Sequence, residues 1–260
     1  MNIEEFKIQN GYEREGFWLP RVTTITNVIS KPALFRYYAH HSNFMSAQNA
    51  LNHSANWGSS VHKAVEMLLK NKKHRPEEKI LHSIGAFRDW QSQNKVKIFD
   101  PENDIEKIIF DLDNSYAGTL DILAEVNGVL GILDIKTGGG IWDEYGLQLA
   151  AYMNAYNKNV PAKRKAKTRW ILRLDQFEQC RICGARKRIK SGKAKITGGK
   201  KNCYHQFSQT KGSFQFKELE GFKEDLQGFL SAKKLWEWCN RSILKEIKNY
   251  PENKKTKSLF

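Results

Sequence analysis

The chain has 260 residues, 40% hydrophobic and 12% aromatic, which is ample for a core and excludes a largely disordered polypeptide. With 43 Lys and Arg against 28 Asp and Glu the formal charge is +15, which points to a polyanionic partner. No run of about 18 apolar residues exists to cross a membrane, and the opening MNIEEFKIQN is acidic and polar where an export signal is basic and then apolar, so a soluble intracellular protein is expected.

Residues 1–30 read as extended, with VTTITNVI rich in β-branched side chains. Lys31-Pro32 opens a helix through Phe35, Tyr37 and Tyr38. A second helix is expected to start near Ser59, an N-cap after Trp57-Gly58, with Val61, Ala64, Val65 and Leu68 on one stripe. A third covers about 77–93. Strands follow at 105–110 and 118–136, then an amphipathic helix at 143–156 and a strand at 168–174. GSFQFKEL resumes an alternating strand, and a helix carrying Phe222, Leu226, Phe229, Leu230, Leu235 and Trp236 spans about 220–247. Helices mixed with neighbouring strands predict an α/β or α+β sandwich, of which α/β is the expectation. The division expected is a core of 1–175 and 211–247, a basic insertion at 176–210 and a basic tail at 248–260 with Lys248, Lys254, Lys255 and Lys257.

The segment 118–136 carries the most chemistry. GTLDILAEV and VLGILDIK flank Asn127-Gly128, the pair preferred in a two-residue type I′ turn. That turn pairs Val126 with Val129 and brings Asp121 opposite Asp134, with Lys136 returning to the same face two residues on. Ile122, Leu133, Leu120 and Ile135 then fill the other face. Two facing carboxylates in an apolar sheet repel each other and desolvate badly; a hard divalent cation such as Mg²⁺ or Mn²⁺ removes the conflict. The plainer alternative is a surface ion pair between Asp121 and Lys136.

Asp121 in GTLD, the triplet Asp134-Ile135-Lys136 and the helical pair Gln148/Tyr152 in QLAAY resemble the PD-(D/E)XK nuclease superfamily. Trp57-Gly58-Ser59-Ser60-Val61-His62 resembles the upstream histidine motif of its RecB-like branch, and LPRVTTITNVISKP the opening of phage and bacterial nucleases of this kind. The resemblance covers about residues 18–175. It implies a restriction-endonuclease-like core, a central mixed sheet flanked by helices, acting on DNA as single strands or duplex ends. It further implies that Asp121, Asp134, the Ile135 carbonyl and His62 hold Mg²⁺ or Mn²⁺. Lys136 would then orient or deprotonate the attacking water or stabilise the developing charge, with Gln148 and Tyr152 supporting it or touching substrate. An exonuclease or single-strand-directed enzyme of the cytoplasm of a bacterial or phage-infected cell is the expectation. Glu106, at the start of the preceding strand where such nucleases often carry an acid, would by the same resemblance approach the metal through water. The plainer readings pair His62 with Glu66 and leave Gln148 and Tyr152 as helix-boundary residues. Glycines 138–140 read as a flexible turn, since no GxxxxGK[ST] accompanies them; no nucleotide cofactor is expected.

Cys180-Arg-Ile-Cys183-Gly184 and Cys203-Tyr-His205 have the spacing of a zinc knuckle with Cys₃His ligation, a structural Zn²⁺ site; Cys239, in the stripe of Leu235, Trp236 and Trp238, is expected to be buried, with replacement of His205 as the alternative. RecB-like relatives with an iron–sulfur cluster carry a cysteine before the histidine motif, and this chain has none before Cys180. The insertion is also the most basic part of the chain. Arg186, Lys187, Arg188, Lys190 and Lys193 are expected to contact DNA backbone and take no part in chemistry. The competing function is a non-catalytic, zinc-containing nucleic-acid-binding protein on a nuclease-like fold.

Overall fold

The computed structural model describes residues 2–190 and 192–251; Lys254, Lys255 and Lys257 of the basic tail lie outside the described residues. Helix α1 (Ile3–Asn10) precedes a hairpin of β1 (Gly11–Arg14) and β2 (Phe17–Pro20), then α2 (Val22–Thr26), α3 (Pro32–Ala39) and the long α4 (Phe44–Leu69). Helix α5 (Leu81–Gln93) and the short β3 (Val96–Lys97) lead into β4 (Ile105–Asp111), β5 (Tyr116–Val126) and β6 (Val129–Lys136). After α6 (Glu144–Lys158) come β7 (Thr168–Gln179), β8 (Arg186–Arg188), β9 (Lys195–Thr197) and β10 (Lys211–Glu218). Helices α7 (Phe222–Cys239) and α8 (Arg241–Glu246) follow.

The first thirty residues correct the extended reading. Asn2 accepts from the Glu5 amide at 2.8 Å while the Glu5 carboxylate accepts from the Asn2 amide at 3.2 Å, a capping box that starts α1. The β-branched Val22–Thr26 turns helical because burial of Val22, Ile25 and Thr26 outweighs strand propensity. Helix α4 likewise starts well before Ser59, where Asn43 accepts from the Ser46 amide at 2.8 Å. The expected 220–247 helix breaks at Asn240, whose side chain donates to the Trp236 carbonyl at 2.8 Å.

The fold is mixed α/β, with a central mixed sheet flanked by helices. Strands β6 and β7 are parallel and joined by α6; the other pairings in this eight-stranded sheet are antiparallel. One face packs Leu123, Ile132 and Tyr152 against Phe229 and Trp236 of α7; the other packs Ile122, Leu133 and Leu172 against Val61 of α4 and Phe87 and Trp90 of α5. Strand β7 outruns β6, and its last residues pair with β8, so the β8–β9 hairpin projects from the core.

The β5–β6 turn forms as its sequence demands: Asn127 and Gly128 have φ of 52° and 87°, and the register runs from Val126↔Val129 to Ile122↔Leu133. Strict alternation does not continue past that point. Leu120 joins Leu123 and Ile132 under α6, not Ile122 as expected, so the two-residue period breaks across Asp121. Glu106 is the residue of β4 facing this break, between the pairs Ile105↔Ile122 and Lys107↔Leu120, and its φ is 53°. Both strands are thus distorted at one level, the left-handed φ of a non-glycine being strain that neighbouring structure must hold.

Candidate active site and metal centres

The paired distortion gathers side chains from three elements. His62 on α4, Glu106 on β4 and Asp121 on β5 each offer a ligand atom, and these atoms lie within 4.8 Å of one another. The His62 Nδ1 is 3.4 Å from Asp121 Oδ2. Glu66 is elsewhere engaged, 2.9 Å from Lys63 and 3.1 Å from Lys70, so the alternative His62–Glu66 pairing does not form. The Asp121 carboxylate is held by the Ile135 amide, which donates at 2.7 Å. Glu106 is exposed yet crowded by protein, and its carboxyl is pushed up to about 6, by desolvation first and by the Asp121 charge second.

Asp134 stands beside this group without being part of it. Its side chain is 1% exposed, and Lys136 Nζ lies 2.6 Å from Oδ2, yet neither oxygen accepts a hydrogen bond of acceptable angle. Burial pushes its carboxyl up, partly offset by Lys136, and the Asp121 charge adds to the rise. Lys136 thus pairs with Asp134, not with Asp121 as the surface alternative had it. Its ammonium also lies 3.4 Å from Gln148 Oε1 and 4.8 Å from the Tyr145 ring centroid. Gln148 in turn donates to the Tyr152 hydroxyl at 2.9 Å. Tyr152 is buried over Gly118, where a Cβ would come within 2.5 Å of the ring. The helical pair therefore faces the core and steadies Lys136.

Cys180, Cys183, Cys203 and His205 form a cluster that can hold a metal ion such as zinc, their ligand atoms within 4.8 Å of one another. A tetrahedral zinc with ~2.3 Å Zn–S and ~2.0 Å Zn–N bonds has S···S edges of about 3.8 Å and S···N edges of about 3.5 Å. Cys180 and Cys203 sulfurs are 3.8 Å apart, and Cys183 Sγ is 3.4 Å from His205 Nδ1. Backbone amides reach the sulfurs from both sides: Cys183 and Ile182 toward Cys180, Lys200 and Ala185 toward Cys183. Gly199 permits the second approach, with φ 75° and no room for a Cβ, which would sit 2.7 Å from Cys183 Sγ. Cys239 is exposed on α7, not buried as expected, and is not in the cluster.

The basic residues of the insertion divide into two groups. Asp175 on β7 is fully buried and binds Arg173 at 2.6 Å, Arg188 at 2.8 Å and Lys190 at 2.8 Å. Burial works to raise its carboxyl, but Arg188, Lys190 and Arg173 outweigh it and hold the group far below the usual carboxylate range. Lys187 pairs with Glu178 at 2.9 Å, while Arg186 lies over the Phe177 ring. Three of the five expected DNA contacts, Lys187, Arg188 and Lys190, therefore have acidic partners within the fold. Lys190 also donates to the Thr137 carbonyl at 2.7 Å and Arg173 to the Gly138 carbonyl at 2.8 Å, so the glycine turn after Lys136 is tied down on two sides. Asp175 and Arg173 escaped sequence reading because nothing in ILRLD distinguishes an inward ion cluster from a strand end; the break in an apolar alternation was the only signal.

No helix among the described residues is long and apolar enough to cross a membrane. No protein-family model matches the chain, and no curated protein matches it either.

Proposed function

We propose that the chain is a divalent-metal-dependent nuclease hydrolysing DNA phosphodiesters, built on the restriction-endonuclease-like core of the PD-(D/E)XK superfamily and of the RecB-like, exonuclease or single-strand-directed type. The observation that carries the reading is Asp134: a buried carboxylate with no well-formed hydrogen bond is costly unless something cationic completes it. Lys136 supplies part of that, and the convergence of Asp121, His62 and Glu106 beside it supports a site for a second positive charge. The donor set suits Mg²⁺ or Mn²⁺, with the converging His62, Asp121 and Glu106 and the adjoining Asp134 and Ile135 carbonyl as the residues that would hold it. When bound, such an ion supplies a water of lowered pKa and neutralises a non-bridging phosphate oxygen.

The chain's own residues do the rest. The Ile135 amide fixes the Asp121 carboxylate, and Asp134 and Gln148 fix the Lys136 ammonium. So placed, Lys136 orients the attacking water and stabilises negative charge as it grows on the phosphate. Tyr152 acts only through Gln148. The Cys₃His cluster sits at the base of the projecting hairpin and serves structure, closing a loop that has little core of its own. The test is digestion of labelled single- and double-stranded DNA with Mg²⁺, Mn²⁺ or EDTA by wild type, Asp134→Ala and Lys136→Ala. Metal-dependent cleavage abolished by both substitutions supports the site; cleavage that survives both rejects it, and binding without cleavage favours the non-catalytic module.

A further inference from the structure

Two long stretches of this chain contain no acidic residue. One runs from Glu15 to Glu66 and the other from Glu178 to Glu218. The first forms α2, α3 and most of α4; the second forms the Cys₃His module and the β8–β9 hairpin. The fold sets these two stretches face to face. Of three adjoining hollows, the first shares His41 and Lys193 with the second and Tyr37 and Lys195 with the third, and none of the described residues lining them is Asp or Glu. On the helical side the walls carry Arg36, His40 and His53, and on the hairpin side Lys193 and Lys195. Lys195 Nζ lies 5.9 Å from the Tyr37 ring centroid, across the cleft. Its inner end is floored by Thr137, Gly138 and Gly139, the residues directly after Lys136.

The helical side is also aromatic beyond what folding requires, with Tyr37 in the walls themselves and Phe35, Tyr38 and Phe44 next to them along α3 and the start of α4. Helix α3 buries none of its residues, yet carries Phe35, Tyr37 and Tyr38. Tyr37 packs on His41 with centroids 4.3 Å apart, and Tyr38 stacks on Phe44 at 5.3 Å and 9°. Phe35, Phe44 and Met45 are each 65% exposed. Cations alone would suit any polyanion. Exposed aromatic faces beside them suit unpaired bases, because a duplex keeps its base faces stacked on one another.

We infer that the cleft between α3–α4 and the β8–β9 hairpin binds single-stranded nucleic acid, bases against Tyr37 and its aromatic neighbours on α3 and phosphates along Arg36, Lys193 and Lys195, and leads the strand to Lys136. Arg188 and Lys190 anchor the hairpin wall through Asp175 and are not the track itself. The direction of travel rests on the nuclease reading; occupancy of the cleft does not.

Binding is measured by fluorescence anisotropy without added divalent cation, using short oligothymidylate, oligouridylate and a DNA duplex of the same length. Single strands are expected to bind more tightly than the duplex, and the two sugars show which polymer is preferred. Tyr37→Ala weakens single-strand binding about tenfold while Tyr37→Phe retains it, as expected of stacking. Lys195→Gln, outside α3 and safe from any loss of that helix, weakens binding and lowers the salt slope by ~0.7. Duplex binding as tight as single-strand binding, or unchanged affinity in both Tyr37→Ala and Lys195→Gln, overturns the cleft. The readout separates the two proposals: Asp134→Ala that binds but does not cut leaves the cleft standing. Cleavage with binding indifferent to both cleft variants removes the cleft and leaves the nuclease.

Discussion

Replacing Asp175 by asparagine removes the anion that Arg173, Arg188 and Lys190 share, at 2.6 to 2.8 Å, while keeping its shape. The cations differ in how much water remains to them: the Arg173 side chain is 6% exposed, those of Arg188 and Lys190 16% and 13%. Breaking a buried pair costs about 3–5 kcal/mol because a charge is stranded; the partial hydration here argues for the lower end, about 3 kcal/mol. In a protein of this size that is a fall in melting temperature of roughly 6–12 °C. Circular dichroism melts of wild type and Asp175→Asn at pH 7 measure it. The acid limb gives an independent check. Asp175 is depressed in the folded state, so its stabilisation is complete above the ordinary carboxylate pKa of about 3.9 and is lost as pH falls toward the folded value. The gap between the two proteins should be flat above about pH 5 and shrink below about pH 4. Equal melting temperatures at pH 7, or a gap that widens in acid, refutes the account. Hydrogen exchange at Gly138 and Gly139 should quicken in the variant, since Lys190 and Arg173 hold the carbonyls of Thr137 and Gly138.

Protein purified without added metal should carry one equivalent of zinc by elemental analysis and Cys183→Ser much less; a substoichiometric wild type counts against the Cys₃His site. Gly118→Ala drives a Cβ into the Tyr152 ring at 2.5 Å. It should destabilise by about 1–3 kcal/mol in denaturant titration and lower kcat more than it changes KM, because Tyr152 positions Gln148 and Gln148 positions Lys136. Gly128→Ala, at φ 87°, should lose about 1 kcal/mol in the same titration and leave cleavage intact, since the turn lies at the far end of the hairpin from Asp121.

What was legible in the chain was local. Asn127-Gly128 admits few turns, so it set the register down to Ile122↔Leu133, and the spacing of Cys180, Cys183, Cys203 and His205 matched the group that converges. Period-based reading also located β4, β5, β6, α6 and β7 within a few residues. It failed where tertiary contacts override a local preference. Val22–Thr26 reads as strand and is a helix because its apolar side chains are buried beneath the sheet's helical layer. The same limit hid the break at Asp121. Leu120 and Ile122 satisfy alternation in sequence, and only the opposing strain at Glu106 shows that the pattern does not continue through the site.

The lysines and arginines of 186–195 illustrate why counting charge is weaker than placing it. All looked alike as phosphate ligands, but a single buried acid on β7 sorts them. Arg188 and Lys190 turn inward to Asp175, and Lys190 continues to the backbone beside Lys136. The Cys₃His cluster lies at the base of the same hairpin, with Cys180 following β7 and Cys183 preceding β8. The loop that the Cys₃His cluster can close is therefore joined to the strand of Lys136 through Arg188 and Lys190. Disturbing the knuckle should loosen the turn after Lys136 even though no sulfur approaches the carboxylates. An insertion that only gripped substrate would leave that turn unchanged, so exchange at Gly138 and Gly139 in Cys183→Ser distinguishes a strut from an appendage.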